Sequence, residues 1–378
     1  MVNKCVEPDA NIPSSEISEP SLPPKVRERN LGIDLLRILS MFLVTVLHVL
    51  GNGGVLGAAH GINYNIAWLM EIMAYCSVNC YALISGYVGV KSGFKYSRII
   101  LLWLQVVFYT VGLTVVTAFV NPEAVTAERI FVAFFPVMKR EYWYFTAYFC
   151  MSFFVPAFNY VVNNMPRRQV RAMIVASLVL LSLLPAVFKT GLLGDPIGDT
   201  FWTSNGYNTL WISVLYVIGA YVSKYKCTER IPAWAGVLTY AAVILITWLE
   251  KLYAKPSVLV NYTSPTVLIA GFSLLVAFSR LRLRPLRRVI GLLAPAAFGV
   301  YVIHVNKFIW DYVLNKRYAE FASYPAPKMV LWVILAALSI YFICSAVDVA
   351  RAFVFKVTRV REGLERLEKR VFKNLWKN

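Results

Sequence analysis

The sequence predicts an all-α integral membrane protein of about ten transmembrane helices, with both termini in the cytoplasm. Three observations carry this. Hydrophobic residues make up 58% of the chain and charged ones only 15%, and the mean hydropathy of +0.60 is unlike that of an ordinary soluble domain. Apolar segments long enough to cross a bilayer, about 20 residues at 1.5 Å each, recur along its length. The basic residues gather in alternate loops between those segments and after the last one. A net charge of +18 would suit nucleic acid, but this distribution is that of topology signals. Membrane lipid, and no nucleic acid, is therefore the expected partner.

Residues 1–30 are polar and rich in Pro, Ser and Glu, with no signal-peptide pattern, and are expected to form a disordered cytoplasmic tail. Apolar segments follow at about 31–50, 66–90, 99–120, 143–162, 172–188, 209–223, 232–249, 263–279, 289–311 and 328–350, defining a membrane domain over 31–350. If the tail is cytoplasmic, the inner loops hold Lys91, Lys95 and Arg98; Arg167, Arg168 and Arg171; Lys224, Lys226 and Arg230; and five arginines between Arg280 and Arg288. Their single acid is Glu229, which satisfies the positive-inside rule. Beyond Arg351, Val357, Val360, Leu364, Leu367, Val371 and Leu375 recur among Arg and Lys. Residues 351–378 thus read as a basic amphipathic helix lying on anionic lipid. The six cysteines have neither metal-ligand nor disulfide-framework spacing. No metal is expected, and Cys76 and Cys80, one turn apart, are read as packing residues.

The first segment, LGIDLLRILSMFLVTVLHVL, carries Asp34, Arg37 and His48. Ionisable groups inside a bilayer are costly enough to mark function by default. Eleven residues at about 100° each put Arg37 and His48 on one face, about 16 Å apart along the axis, with Met41, Thr45 and Asn52 on the same stripe. Arg37 stays charged and can hold phosphate or carboxylate but cannot serve as a base; Asp34, one turn before it, can orient it. An imidazole can act as the base. On the second segment Glu71, Tyr75, Asn79 and Ala82 share a face, with Ser85 and Gly86 at its margins, where close helix approach or a local break is expected. On the ninth, His304, Lys307 and Asp311 share a face, Lys307 pairing with Asp311. His304 should lie at a depth similar to that of His48.

A phosphate-bearing donor would be drawn to the inner surface by Arg37, Arg98 and the basic loops. A long thin arm such as the pantetheine of coenzyme A could then carry a thioester to His48, where a hydroxyl acceptor would meet it.

These residues match a known pattern. Asp34-x-x-Arg37, ten further residues and His48 resemble the arginine-x10-histidine signature of the membrane acyltransferase-3 family. YALISGYVG, with Ser85 and Tyr87, resembles its F-x-x-SGY element, and Phe94 to Arg98 stands where the family has a basic cluster, though here only Lys95 and Arg98 supply it. Glu141-Tyr142-Trp143-Tyr144-Phe145 resembles the aromatic start of the fourth helix, and Gly299 to His304 the late G-x-Y-x-I-H segment. The resemblance implies a ten-helix core that moves an acyl group, usually acetyl, from cytoplasmic acyl-coenzyme A to a hydroxyl on a cell-envelope glycan or small molecule. Acyl-coenzyme A would be a co-substrate, with no tightly bound cofactor, and the location the plasma (cell) membrane. It makes His48 the catalytic histidine, with Arg37 on the donor side. Lys95 and Arg98 are then donor contacts, and Glu71, Asn79, Ser85, Tyr87, Trp143, Tyr144 and His304 candidate substrate residues. The rival reading is a transporter or flippase whose pathway is lined by Arg37, Glu71, His48 and His304.

Overall fold

The computed structural model describes residues 29–139, 141–190, 204–254 and 256–375. The expected tail lies outside them except for Arg29 and Asn30. Among the described residues every regular element is helical.

α1 (Leu31–Leu50) coincides with the first apolar segment and is mostly buried, Asp34 included. The second segment starts earlier than expected and forms two helices, α2 (Gly61–Tyr75) and α3 (Ser77–Gly89), which meet at Cys76. α4 (Tyr96–Val120) follows. α5 (Trp143–Ser152) and α6 (Val155–Asn164) are bent by 58°, with Pro156 just beyond the bend supplying no amide to bridge it. α7 (Arg167–Phe188) contains a π-helical turn at Val179–Leu183, immediately before Pro185. Then come α8 (Thr209–Lys224), α9 (Ala233–Tyr253), α10 (Pro265–Ser279), α11 (Arg287–His304), α12 (Ala326–Val357) and α13 (Val360–Leu375). Among the described residues, seven helices, with α2 and α3 counted together, are long and apolar enough to span a bilayer, and the bent pair makes an eighth. α8 and α10 are apolar but shorter.

One expectation is decided between its two alternatives, and two are corrected. First, Ser85-Gly86 gives close helix approach and no break: a Cβ at Gly86 would overlap the Tyr216 carbonyl on α8, and one at Gly219 would overlap that of Leu83. The two glycines let α3 and α8 touch backbone to backbone. Second, the ninth helix ends at His304 rather than continuing to 311. Asn306 turns out of helical geometry and accepts from the Phe308 amide, starting a new short turn. Lys307 and Asp311 do pair, but on that turn, and they share no helix face with His304. Third, α12 continues through 351–357, and a left-handed Arg359 (φ 51°) separates it from α13. The basic amphipathic helix therefore begins at Val360, with Leu367 and Val371 exposed on its apolar side.

A buried polar clasp fixes the helices behind the site. Asp348 of α12, 1% exposed, accepts from Gln105 Nε2 (3.0 Å) and Tyr109 Oη (2.7 Å) of α4 and pairs with Arg351 (3.0 Å). It rests against Gly299 of α11, where a Cβ would overlap its carboxylate. A carboxylate in a membrane interior needs such full pairing.

Candidate active site

The last turn of α1 brings His48 against the last residue of α11. His48 Nδ1 lies 2.8 Å from His304 Nε2, and His304 Nδ1 lies 2.5 Å from the Val300 carbonyl. A carbonyl only accepts, so His304 Nδ1 carries a proton and donates it. With the ring neutral, His304 Nε2 accepts, and the donor to it is His48 Nδ1–H. This leaves the lone pair on His48 Nε2. Among the described residues neither ring meets a carboxylate that would favour a charge, so the neutral chain is the one the site supports. Trp310 packs its ring edgewise on His48, 4.8 Å between centroids. The Trp310 carbonyl is held by Asn52 Nδ2 at 3.2 Å.

His48 borders a small, partly open cavity walled mainly by apolar and aromatic side chains, the kind of lining that small-molecule sites favour. Met41 and Val44 continue its wall down α1, with Tyr81 from α3, Trp143 and Tyr144 from α5, and Tyr301 from α11. The expected stripe is thus real at Met41 but not at Thr45, whose hydroxyl bonds the Phe42 and Ala337 carbonyls against α12. The Tyr144 hydroxyl is buried without a hydrogen-bond partner, which is rare for native polar groups and suits a site that receives a ligand; the Tyr301 oxygen lies at the backbone amides of Tyr144 and Phe145, and its own proton is not taken up.

Arg37 does not line this cavity. Its Nη1 pairs with buried Asp34 at 3.1 Å, as the one-turn spacing suggests, and its side chain is 28% exposed. Its carbonyl accepts from Tyr81 Oη at 2.8 Å, tying the Arg37 turn to the cavity wall. Lys95 and Arg98 are exposed. Lys95 pairs with Glu365 of α13 at 3.3 Å, and Arg98 donates to the Gly93 carbonyl at 3.0 Å.

The other candidates divide. Trp143, Tyr144 and His304 are in or directly behind the cavity. Asn79 is fully buried and committed to the protein: Nδ2 donates to the Tyr262 carbonyl (2.9 Å) and Oδ1 accepts from Trp211 Nε1 (3.2 Å). It positions Tyr262, a cavity residue, and does not itself face the cavity. Ser85 Oγ donates to the Tyr81 carbonyl (2.8 Å) one turn back. Tyr87 is half-buried with Lys91 Nζ 5.8 Å from its ring. Glu71 lies beside the aromatic group around Tyr262 rather than in the cavity lining. Tyr301 and Tyr81 were missed as site residues. The signal for Tyr301 was its place as the tyrosine of the G-x-Y-x-I-H segment, three residues before His304.

A family model described as an acyltransferase domain matches residues 30–348. The chain belongs to the acyltransferase-3 family. The match covers all of α1 to α11 and α12 as far as Asp348, so the histidine pair, the cavity and Asp348 all lie within the acyltransferase-3 domain, while the end of α12 with Arg351 and all of α13 lie outside it. No curated protein and no solved structure matches the chain.

Proposed function

We propose that this acyltransferase moves an acyl group, acetyl in the first instance, from cytoplasmic acyl-coenzyme A to a hydroxyl of a cell-envelope glycan, with His48 as general base. The single observation that carries the reading is the hydrogen-bonded chain Val300–His304–His48, which leaves one free imidazole lone pair on a residue that lines the cavity. His48 Nε2 takes the proton from the acceptor hydroxyl as its oxygen attacks the thioester carbonyl carbon. The carbonyl oxygen becomes an oxyanion, to which the Tyr144 and Tyr301 hydroxyls donate. The carbon–sulfur bond then breaks, and the imidazolium returns its proton to the departing thiolate. His304 holds His48 in the tautomer that does this, the role that a second hydrogen-bond partner plays for a ligating histidine.

Arg37, oriented by Asp34, holds the donor arm, and Lys95 and Arg98 receive its phosphates, Lys95 by leaving Glu365. In this reading all ten apolar segments cross the plasma membrane, α8 and α10 as short spans. The basic loops and both termini are cytoplasmic, and the His48 end of α1 lies towards the outside.

Purified full-length chain in liposomes, given acetyl-coenzyme A and a panel of pyranosides, tests the reading. Mass spectrometry should find an acetyl ester on the acceptor, formed by the wild type and lost in His48→Gln. No ester with any hydroxyl acceptor would remove the assignment.

A further inference from the structure

Outward from His48 the cavity wall continues as a group of stacked rings. Trp143 and Tyr262, both cavity residues, stack with centroids 5.6 Å apart. Tyr262 stacks in turn on Tyr75 of α2, at 4.7 Å and 29°. Tyr207 leans on both Trp143 (4.5 Å) and Tyr262 (4.9 Å). At the far end Glu71, one turn before Tyr75, acts electrostatically on the hydroxyls of Tyr75 and Tyr262. Its Oε2 is buried and makes no hydrogen bond, and three residues before it the Trp68 indole Nε1 is also buried and unpartnered. Lys251 covers the Trp68 ring face, with Nζ 4.0 Å from the centroid, so that indole can offer a ligand only its edge.

An orphan acceptor and an orphan donor on one helix face, beside a wall of aromatic rings, are costly for the empty protein. An apolar occupant such as an acyl chain would leave both orphans unmet. A ligand with one apolar face and several hydroxyls would satisfy everything present: its C–H face packs on the rings, a hydroxyl pairs with the unpartnered carboxyl oxygen of Glu71, and a hydroxyl oxygen accepts from the indole N–H. A pyranose has that form.

We propose that Glu71, Trp68 and the ring group of Tyr75, Tyr207 and Tyr262 form a binding subsite for a neutral pyranose ring of the acceptor. This rests on the acyl-transfer reading for its role but not for its existence. The acceptor sugar lies along the rings, with the hydroxyl to be acylated directed towards His48 and the opposite side of the ring held by Glu71.

Binding is read without donor, by tryptophan fluorescence titration of the detergent-solubilised full chain with methyl pyranosides and with hexanol as the apolar control. The wild type should bind a pyranoside and not hexanol. Glu71→Gln, of equal size but with an amide in place of the carboxyl, should weaken binding several-fold, the scale of one hydrogen bond. Tyr75→Leu should weaken it several-fold, and Tyr75→Phe, which keeps the ring, should restore it. Equal affinity in Glu71→Gln and wild type, or hexanol binding as well as the sugars, would overturn the subsite. Sugar binding sensitive to Glu71 but without acyl transfer would keep the subsite and strike out the acyl-transfer role, so the two failures are distinct.

Discussion

His48 Nδ1 and His304 Nε2 are 2.8 Å apart although 256 residues separate them in the chain. The contact joins the end of the first apolar helix to the end of the ninth segment's helix, and it links the two histidines in one hydrogen-bonded chain. The carbonyl of Val300, one turn before His304, fixes which nitrogen carries each proton, so the direction of that chain is set by the backbone of α11.

His48→Gln should lower acyl transfer by about 10²–10⁴-fold, the usual contribution of a positioned base, while the protein inserts and purifies normally. Glutamine retains polarity and size but cannot take the proton. Steady-state acetyl transfer compared with membrane yield checks this, and near-normal turnover would make the imidazole a packing residue.

His304→Gln should cost less, about 10–100-fold, because it removes the partner that fixes the His48 tautomer without removing the base. The loss should fall on kcat and leave the KM for acyl-coenzyme A nearly unchanged. A loss equal to that of His48→Gln would mean that His304 itself meets the substrate.

Arg37→Lys should raise the KM for acyl-coenzyme A with protein still in the membrane. The charge remains, but the planar fork that pairs with Asp34 and can grip a donor oxygen is gone. An unchanged donor affinity in a binding assay would take Arg37 out of the donor site.

Gly299→Ala should destabilise the chain by about 3 kcal/mol or more, since its methyl group would displace the Asp348 carboxylate from a buried, fully paired position. Asp348→Asn should be milder, as the amide oxygen can still accept from Gln105 or Tyr109. Thermal unfolding of detergent-solubilised variants measures both. Activity should fall with stability, because Gly299 is on the helix that carries His304.

Topology is tested by cysteine accessibility in intact cells. Lys91→Cys, at an exposed position in the loop after α3, should react only from the cytoplasmic side. His60→Cys, exposed just before α2, should react from outside. It is a better probe than Asn63, whose side chain is held by the Ala322 and Tyr324 carbonyls. Labelling of the Lys91→Cys variant from outside would reverse the orientation.

Much of the helical frame was legible because hydrophobicity and the 3.6-residue period are local properties. The positions of the long apolar helices follow the apolar segments, and the Asp34–Arg37 pair and the shared face of Met41 and His48 follow from spacing within one helix. The end of the ninth helix was misread because Asn306 can either continue a helix or cap a new one, and the apolar pattern runs on through both. Lys95 and Asn79 were read as free to meet substrate, and each is claimed by a distant element: Lys95 by Glu365, Asn79 by Tyr262 and Trp211.

The sequence by itself determined that this is a multi-pass helical membrane protein of the acyltransferase-3 family, and that Arg37 and His48 share one helix. Only the tertiary structure decided that His48 meets His304, that Asp348 rests on Gly299, and that Tyr144 and Tyr301 line the same cavity as His48, Tyr144 with an unpartnered hydroxyl. The reason is geometric. A helix's own residues fix what lies on each of its faces, but its rotation and depth against its neighbours depend on close-packed contacts such as those at Gly86 and Gly219, which involve residues far apart in the chain.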